Sequence, residues 1–462
     1  MPRQYTPDAT VPSAPAPRKR PKRAAKRGDA AVAALREGFA HGRTLLGYDL
    51  AATDARDRAD GPVWLDNPEA HSLCIAPTGA GKGRASLMPQ LLSWPGAAIV
   101  IDPKGEAAHV TARYRREALG QRVVYLDPFG VVGAGAPDTL NPFDARRVTG
   151  DRIQDFALGV PEMIHPGHAG SLRDRFWDTT GDQLISAVAC GVLAVEPPER
   201  RHLGTVAELL LGDDVQYALA LYLDQHGDAL PPLARRGIAS HIGTVEQTRG
   251  GVLATAQQHL RLFTTEAVAA AFAKTSFDLD DLRGGAPMTV YLVLPPAKLR
   301  SHSKVLRIWL TALLRVVMSR TEIPALPTAF FVDELAQLGS ISDIELAFTL
   351  LRGYGLRISA YLQDLQQLKR LYPDSWETIL GNAGCLQLFR PNTRIAAQRL
   401  SRLFPKSVKP DHVLSLARDE QLLLFAGGRH AAARKLDYLG DAVFAGRYEA
   451  NPYYRQSASA AP

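Results

Sequence analysis

The stretch APTGAGKGR, residues 76–84, decides how the rest of the chain is read. Phosphate-binding loops follow G-x-x-x-x-G-K-[ST], where the N–H groups of a glycine-rich turn and of a helix N-terminus cradle phosphate oxygens. Gly81 and Lys82 fit this pattern. Ala76 stands at the first glycine, and Gly83 stands where a hydroxyl would meet Mg²⁺. An apolar strand, SLCIAP (72–77), precedes the loop and a helix, SLMPQLLSW (86–94), follows it, which is the context such a loop requires. Gly79 and Gly81 let the backbone turn its N–H groups inward, and Lys82 reaches the β- and γ-phosphates. Thr78, Gly79, Ala80, Gly81, Lys82 and Gly83 are therefore the nucleotide-binding candidates. With no hydroxyl at Gly83, Ser86, a water or nothing takes that place.

Further apolar runs read as strands buried on both faces: 97–102, 122–127, 288–295, 328–335, 357–364 and 385–389. Their alternation with helical stretches predicts an α/β fold, an open, mostly parallel twisted sheet with helices on both faces. Three of these runs carry chemistry at their ends. TAFFVDELAQLG (328–339) ends in Asp333 and Glu334. The Asp suits Mg²⁺ through water, and the Glu can orient or deprotonate an attacking water. The bland alternative is two solvated acids at a helix start. In GYGLRISAYLQDLQQL (353–368), Gln363 ends a strand where it can sense a γ-phosphate. Arg352, just before it, can reach a neighbouring subunit's γ-phosphate, or can simply be a surface residue at a helix C-terminus. IVIDPKGEAA (99–108) brings Asp102, Lys104 and Glu106 to the end of the second strand of the nucleotide unit.

Between about 144 and 270 the pattern turns helical, with Ala- and Leu-rich segments broken at Pro197–Pro198 and Pro231–Pro232. The expected organisation is a disordered basic arm (1–34), a first part of the nucleotide-binding domain (35–143), an all-helical insertion (144–270), a second part (271–445) and a flexible tail (446–462). The net charge of +7 belongs to the arm: residues 1–28 hold eight of the 54 Lys and Arg but one of the 47 acids, leaving 46 of each sign. Such an arm can touch DNA phosphates or anionic lipid. No apolar run reaches the roughly 20 residues that span a bilayer, and no secretory signal is visible. Cys74, Cys190 and Cys385 show no metal-ligand spacing and predict buried thiols in a reduced compartment.

The order of these motifs resembles that of the coupling-protein ATPases of conjugative DNA transfer and type IV secretion. APTGAGKG, VIDPKGE (100–106), VVYLDPFG (123–130), RFWDTTGDQL (175–184), FVDELAQLG, GYGLRISAYLQDLQQL and GNAGCLQLF (381–389) carry the resemblance, over roughly residues 35–440. It implies a RecA-like P-loop motor that takes ATP and Mg²⁺. Lys82 would hold phosphates, Asp333 and Glu334 would serve Mg²⁺ and water, Arg352 would act in trans and Gln363 would sense the γ-phosphate. It further implies a homo-hexameric ring that links DNA (single strands with relaxase) or secreted protein cargo to the components of a type IV secretion channel. The expected helical insertion would read cargo. Members of that family usually begin with transmembrane helices. Here the basic arm stands in their place, which suggests a cytoplasmic chain with peripheral contact at the inner membrane. A secretion ATPase for protein cargo that pumps no DNA, and a nucleotide-binding scaffold, are the alternatives.

Overall fold

The computed structural model describes residues 22–50, 61–166, 172–349 and 353–453. Within these residues lies one sheet of eleven strands: β1 (Thr44–Asp49), β2 (Pro62–Leu65), β3 (Ser72–Ile75), β4 (Ala98–Asp102), β5 (Arg122–Leu126), β6 (Met288–Val293), β7 (Thr328–Val332), β8 (Leu356–Leu362), β9 (Cys385–Phe389), β10 (Glu420–Phe425) and β11 (His430–Lys435). Their order is β2-β1-β11-β10-β9-β3-β8-β7-β4-β6-β5. The run from β9 to β5 is parallel, and it consists of the seven strands expected from their apolar character. The other four strands pair antiparallel.

Six of the seven parallel strands are buried along their length because their residues alternate between cores on the two faces, while the edge strand β5 fully buries only Val124 and Leu126. On β3, Leu73 and Ile75 join one cluster and Cys74 the other. On β7, Phe330 and Val332 face the first, Ala329 and Phe331 the second. Helices α1 (Lys22–Ala40), α2 (Met88–Ser93), α3 (Glu106–Glu117), α4 (Leu172–Val195) and α5 (Leu299–Met318) supply much of what covers the sheet and the insertion. Every regular element between β5 and β6 among the described residues is helical. That helical stretch shares one continuous core with the first face of the sheet. Helix α5 is the seam. Trp309 stacks on Phe272 with centroids 5.0 Å apart, and its Nε1 donates to Leu140 O at 3.0 Å. Arg307 donates to Glu162 O (2.9 Å) on one side and Leu338 O (3.3 Å) on the other.

Two expectations are corrected. Residues 1–21 lie outside the described residues, but the disordered arm cannot extend to 34, because α1 starts at Lys22. Its Ala-rich sequence favours a helix, and Leu35 and Phe39, one turn apart, make an apolar stripe. Phe39 packs edge-on against Trp64 and stacks on Phe444. The C-terminal segment is also not a free tail as far as residue 453. Glu449 N donates to Val110 O (2.9 Å), its carboxylate pairs with Arg113, and Asn451 and Tyr453 reach the loop before α3 and its first turn. Residues 454–462 lie outside the described residues. No helix among the described residues is long and apolar enough to cross a membrane. Cys74, Cys190 and Cys385 are buried free thiols.

Candidate nucleotide site

The middle strand of the eleven, β3, delivers the glycine-rich loop. Ala76 N still pairs with Leu362 O of β8 at 2.9 Å, so the chain leaves the sheet only at Pro77. Ala76 is buried, and its φ is not positive. A methyl group is therefore tolerated at the position where phosphate loops usually carry their first glycine. Gly79 (φ 77°) and Gly81 (φ 87°) do need to be glycine, because both take the left-handed backbone that turns the loop. Nothing lies within 4 Å of a Cβ built at either, so the loop surrounds open space. The chain then enters a π-helical turn, Gly83–Leu87, continued by α2.

Strand β7 delivers the acids. Asp333 follows its last residue, and its Oδ1 accepts from Glu334 N at 3.1 Å. Glu334 is the one non-glycine residue with positive φ among the described residues (φ 54°). This backbone turns its side chain back toward the loop, where Oε1 lies 3.4 Å from Lys82 Nζ. Strand β8 runs between β3 and β7, and Gln363 at its end donates from Nε2 to Glu334 Oε2 at 3.2 Å. Gln363 is held in turn by its own N–H, which donates to Gln367 Oε1 at 2.7 Å. Lys82, Glu334 and Gln363 thus form one chain of contacts across three adjacent strand ends.

Burial pushes the Asp333 carboxyl up to about 6; Lys82 opposes the rise and Glu334 adds to it. Burial likewise lifts Asp102, at the end of β4, to about 7, against the N–H bond it accepts from Ala108. A divalent cation would relieve this crowding of carboxylates, and oxygen donors of this kind suit Mg²⁺. The residues present therefore fit the metal that a nucleotide site requires.

Thr78, Gly79, Gly81, Lys82, Gly83, Asp333, Glu334 and Gln363, all expected from the sequence, line one cavity of about 470 Å³. Asp102, Lys104 and Glu106 line it too. Ala80 faces the other way and accepts from Lys435 Nζ at 3.4 Å. Ser86 does not face the cavity: it is buried beside the sheet, donating to Gln387 Oε1 at 2.7 Å and accepting from Gln90 at 3.0 Å. It is thereby removed as the missing hydroxyl. Arg352 lies outside the described residues.

The sequence missed the C-terminal contributions. Lys435 braces the loop from β11, and Arg84 forms a double hydrogen bond to Asp437 (2.6 and 2.7 Å). Tyr453 lines the cavity and donates to Lys104 O at 2.7 Å. HAAARK and NPYY carry no motif, so their role becomes visible only when the sheet is assembled.

A phosphate loop on a central parallel strand, an acid pair two strands away and a glutamine on the strand between define a P-loop NTPase fold. The chain belongs to the type IV secretory system conjugative DNA transfer family, whose model matches residues 36–407. It is similar to conjugal transfer protein TraG of Escherichia coli, 25% identical over 359 residues, covering 73% of this chain and 55% of that one. It is also similar to protein VirD4 of Agrobacterium fabrum, 23% identical over 448 residues, covering 84% and 62%. The chain spans about half the length of the TraG relatives it matches. Among solved structures, plasmid coupling protein TrwB in complex with ADP and Mg²⁺ shares the fold at a TM-score of 0.60 and 16% identity, covering 79% of this chain and 84% of that one. VirB4 of Thermoanaerobacter pseudethanolicus aligns at 0.54 and 13% identity, covering 89% and 97%.

Proposed function

We propose that the chain is an ATP-driven motor of the conjugative coupling type, which hydrolyses ATP to pass DNA to a type IV secretion channel. The contact chain Lys82–Glu334–Gln363 is the observation that carries this reading. Lys82 binds the β- and γ-phosphates. When phosphate takes the Lys82 ammonium, Glu334 is released from its ion pair and can accept a proton from the attacking water. Gln363, bonded to the other oxygen of Glu334, registers whether a γ-phosphate is there. Asp333 would hold Mg²⁺, which when bound would supply positive charge to offset that of the β- and γ-phosphates. Arg352 is assigned the trans-acting role in a homo-hexameric ring, with ATP favoured over GTP. Relaxase-bound single strands are the proposed cargo, and the basic residues of the arm are the proposed contact with DNA or an anionic membrane.

A second reading, a secretion ATPase for protein cargo, is favoured by one observation. Beyond residue 28 the chain carries equal numbers of basic and acidic residues, whereas DNA motors bind through many phosphate contacts. ATP hydrolysis by the full chain, measured with single- and double-stranded DNA at low and raised salt, separates the two. The DNA reading expects a several-fold rise that fades as salt increases. A rate indifferent to DNA at low salt overturns it in favour of protein cargo.

A further inference from the structure

We infer that Glu106 supplies the metal-ligating oxygen that the phosphate loop lacks at Gly83. The inference rests on the nucleotide reading above and deepens it. The residue after the loop lysine normally offers a hydroxyl to Mg²⁺, and here it offers only hydrogen. Around Gly83 the space for that hydroxyl is open. A Cβ built there meets a single atom within 4 Å, Glu106 Oε1 at 3.8 Å. The Glu106 carboxylate thus borders the ground a serine or threonine oxygen would occupy, one bond beyond that Cβ. Ser86, the other nearby hydroxyl, is committed to Gln387 and Gln90 on the sheet side.

Glu106 is held for this task. It is the first residue of α3, entered through Gly105 in a left-handed conformation (φ 68°). Asn451 Nδ2 donates to its Oε1 at 2.7 Å, and Asn451 also takes part in a contact with Tyr438 OH at 3.3 Å. No hydrogen bond to Oε2 occurs among the described residues, so that oxygen keeps its full acceptor capacity. Glu106 lines the same cavity as Asp102 and Asp333. The cavity they line also holds the loop, and a carboxylate oxygen there suits a hard divalent cation. An anionic oxygen is also a stronger ligand than the hydroxyl it replaces. The C-terminal segment thereby gains a role: Asn451 is a positioning residue, aiming a ligand rather than touching phosphate.

The test is a Mn²⁺ titration by electron paramagnetic resonance, in the presence of a non-hydrolysable ATP analogue, on the full chain. Affinity for the analogue in EDTA serves as the control. Glu106→Gln should keep the metal-free affinity and lose more Mn²⁺ affinity than Asn451→Ala, for which an outer partner predicts a loss on the order of 10- to 100-fold. Gly83→Ser, added to Glu106→Gln, should restore most of the loss, since its Cβ meets nothing closer than an ordinary contact with the side chain of residue 106. Wild-type Mn²⁺ affinity in Glu106→Gln overturns the inference. So does a loss that Gly83→Ser fails to repair, or a loss of metal-free nucleotide binding, because either places Glu106 in the fold rather than at the metal. A wild-type protein that takes up no nucleotide overturns the site reading itself, and the inference with it.

Discussion

The Lys82 ammonium lies 3.4 Å from Glu334 Oε1, joining the end of β3 to the end of β7. The pair is largely shielded from solvent, and it depends on a backbone that is unusual for glutamate. At φ 54° and ψ 41°, Glu334 sits in the left-handed region, which costs an L-residue about 1–2 kcal/mol. Strain of this kind persists where surrounding structure holds it and commonly marks functional sites.

Glu334→Gly should therefore stabilise the fold while removing the carboxylate. Relief of the left-handed penalty outweighs the extra freedom glycine gives the unfolded chain, for a net gain of about 0.5–1 kcal/mol. Denaturant unfolding of the two proteins measures it. A loss of stability would show that the ion pair with Lys82 contributes more than the strain costs.

Gln363→Ala should lower ATP turnover about 100-fold while changing the Michaelis constant little. The side chain touches Glu334, the carboxylate proposed to activate water, rather than the phosphate loop. Steady-state kinetics separate the two parameters. A rise in the Michaelis constant at unchanged turnover would move Gln363 into ground-state binding.

The legibility of these residues follows from where each lies. Six of the seven parallel strands are buried along their length, and β5 on one face, so their sequences are mostly apolar runs whose ends stand out in the sequence. Lys82, Asp333, Glu334 and Gln363 all stand at such ends. The four antiparallel strands have no such signature. β11, HAAARK, fully buries only Ala433 and Lys435 and looks like a polar loop. Its hairpin partner β10 becomes recognisable through the turn at Gly427 and Gly428, both left-handed. Lys435 and Asn451 meet the site from more than 300 residues away, and no local pattern encodes such a contact. Helix α1 is hidden in the sequence because charge at residues 18–27 precedes the Ala-rich stretch and the Leu35–Phe39 stripe.

Lys435 should leave a mark on the pH dependence of stability. Its ammonium is buried over the Phe389 ring (3.9 Å) and donates to Arg418 O at 2.9 Å. Burial lowers its pKa to about 8 from 10.5. Between these values the unfolded chain binds more protons at this group than the folded one, so its contribution to stability rises with pH across that window and is lost as pH falls through 8. Lys435→Met should lack this rise. Unfolding of both proteins from pH 7 to 10.5 gives the comparison, and a difference that stays constant with pH would contradict the assignment.

Arg115 is a purely structural prediction. It is wholly buried and donates to Leu91 O (2.6 Å), Trp94 O (3.0 Å), Gly96 O (3.0 Å) and Thr289 Oγ1 (2.6 Å). It thereby ties the end of the helix behind the phosphate loop to β6. Arg115→Leu strands these acceptors and should cost about 3 kcal/mol or more. Arg115→Lys should recover little, because a single ammonium cannot reproduce the guanidinium fork. Chemical denaturation reads both.

The most direct test of the site is Glu334→Gln, assayed for ATP turnover beside its affinity for a non-hydrolysable analogue. The amide keeps the shape of the carboxylate and loses its capacity to take a proton. The account predicts turnover lowered by at least about 100-fold with nucleotide affinity kept or increased, since Lys82 is no longer held by a competing charge. Turnover at the wild-type rate would contradict it, and would leave the Lys82–Glu334 pair a structural contact rather than the centre of a motor.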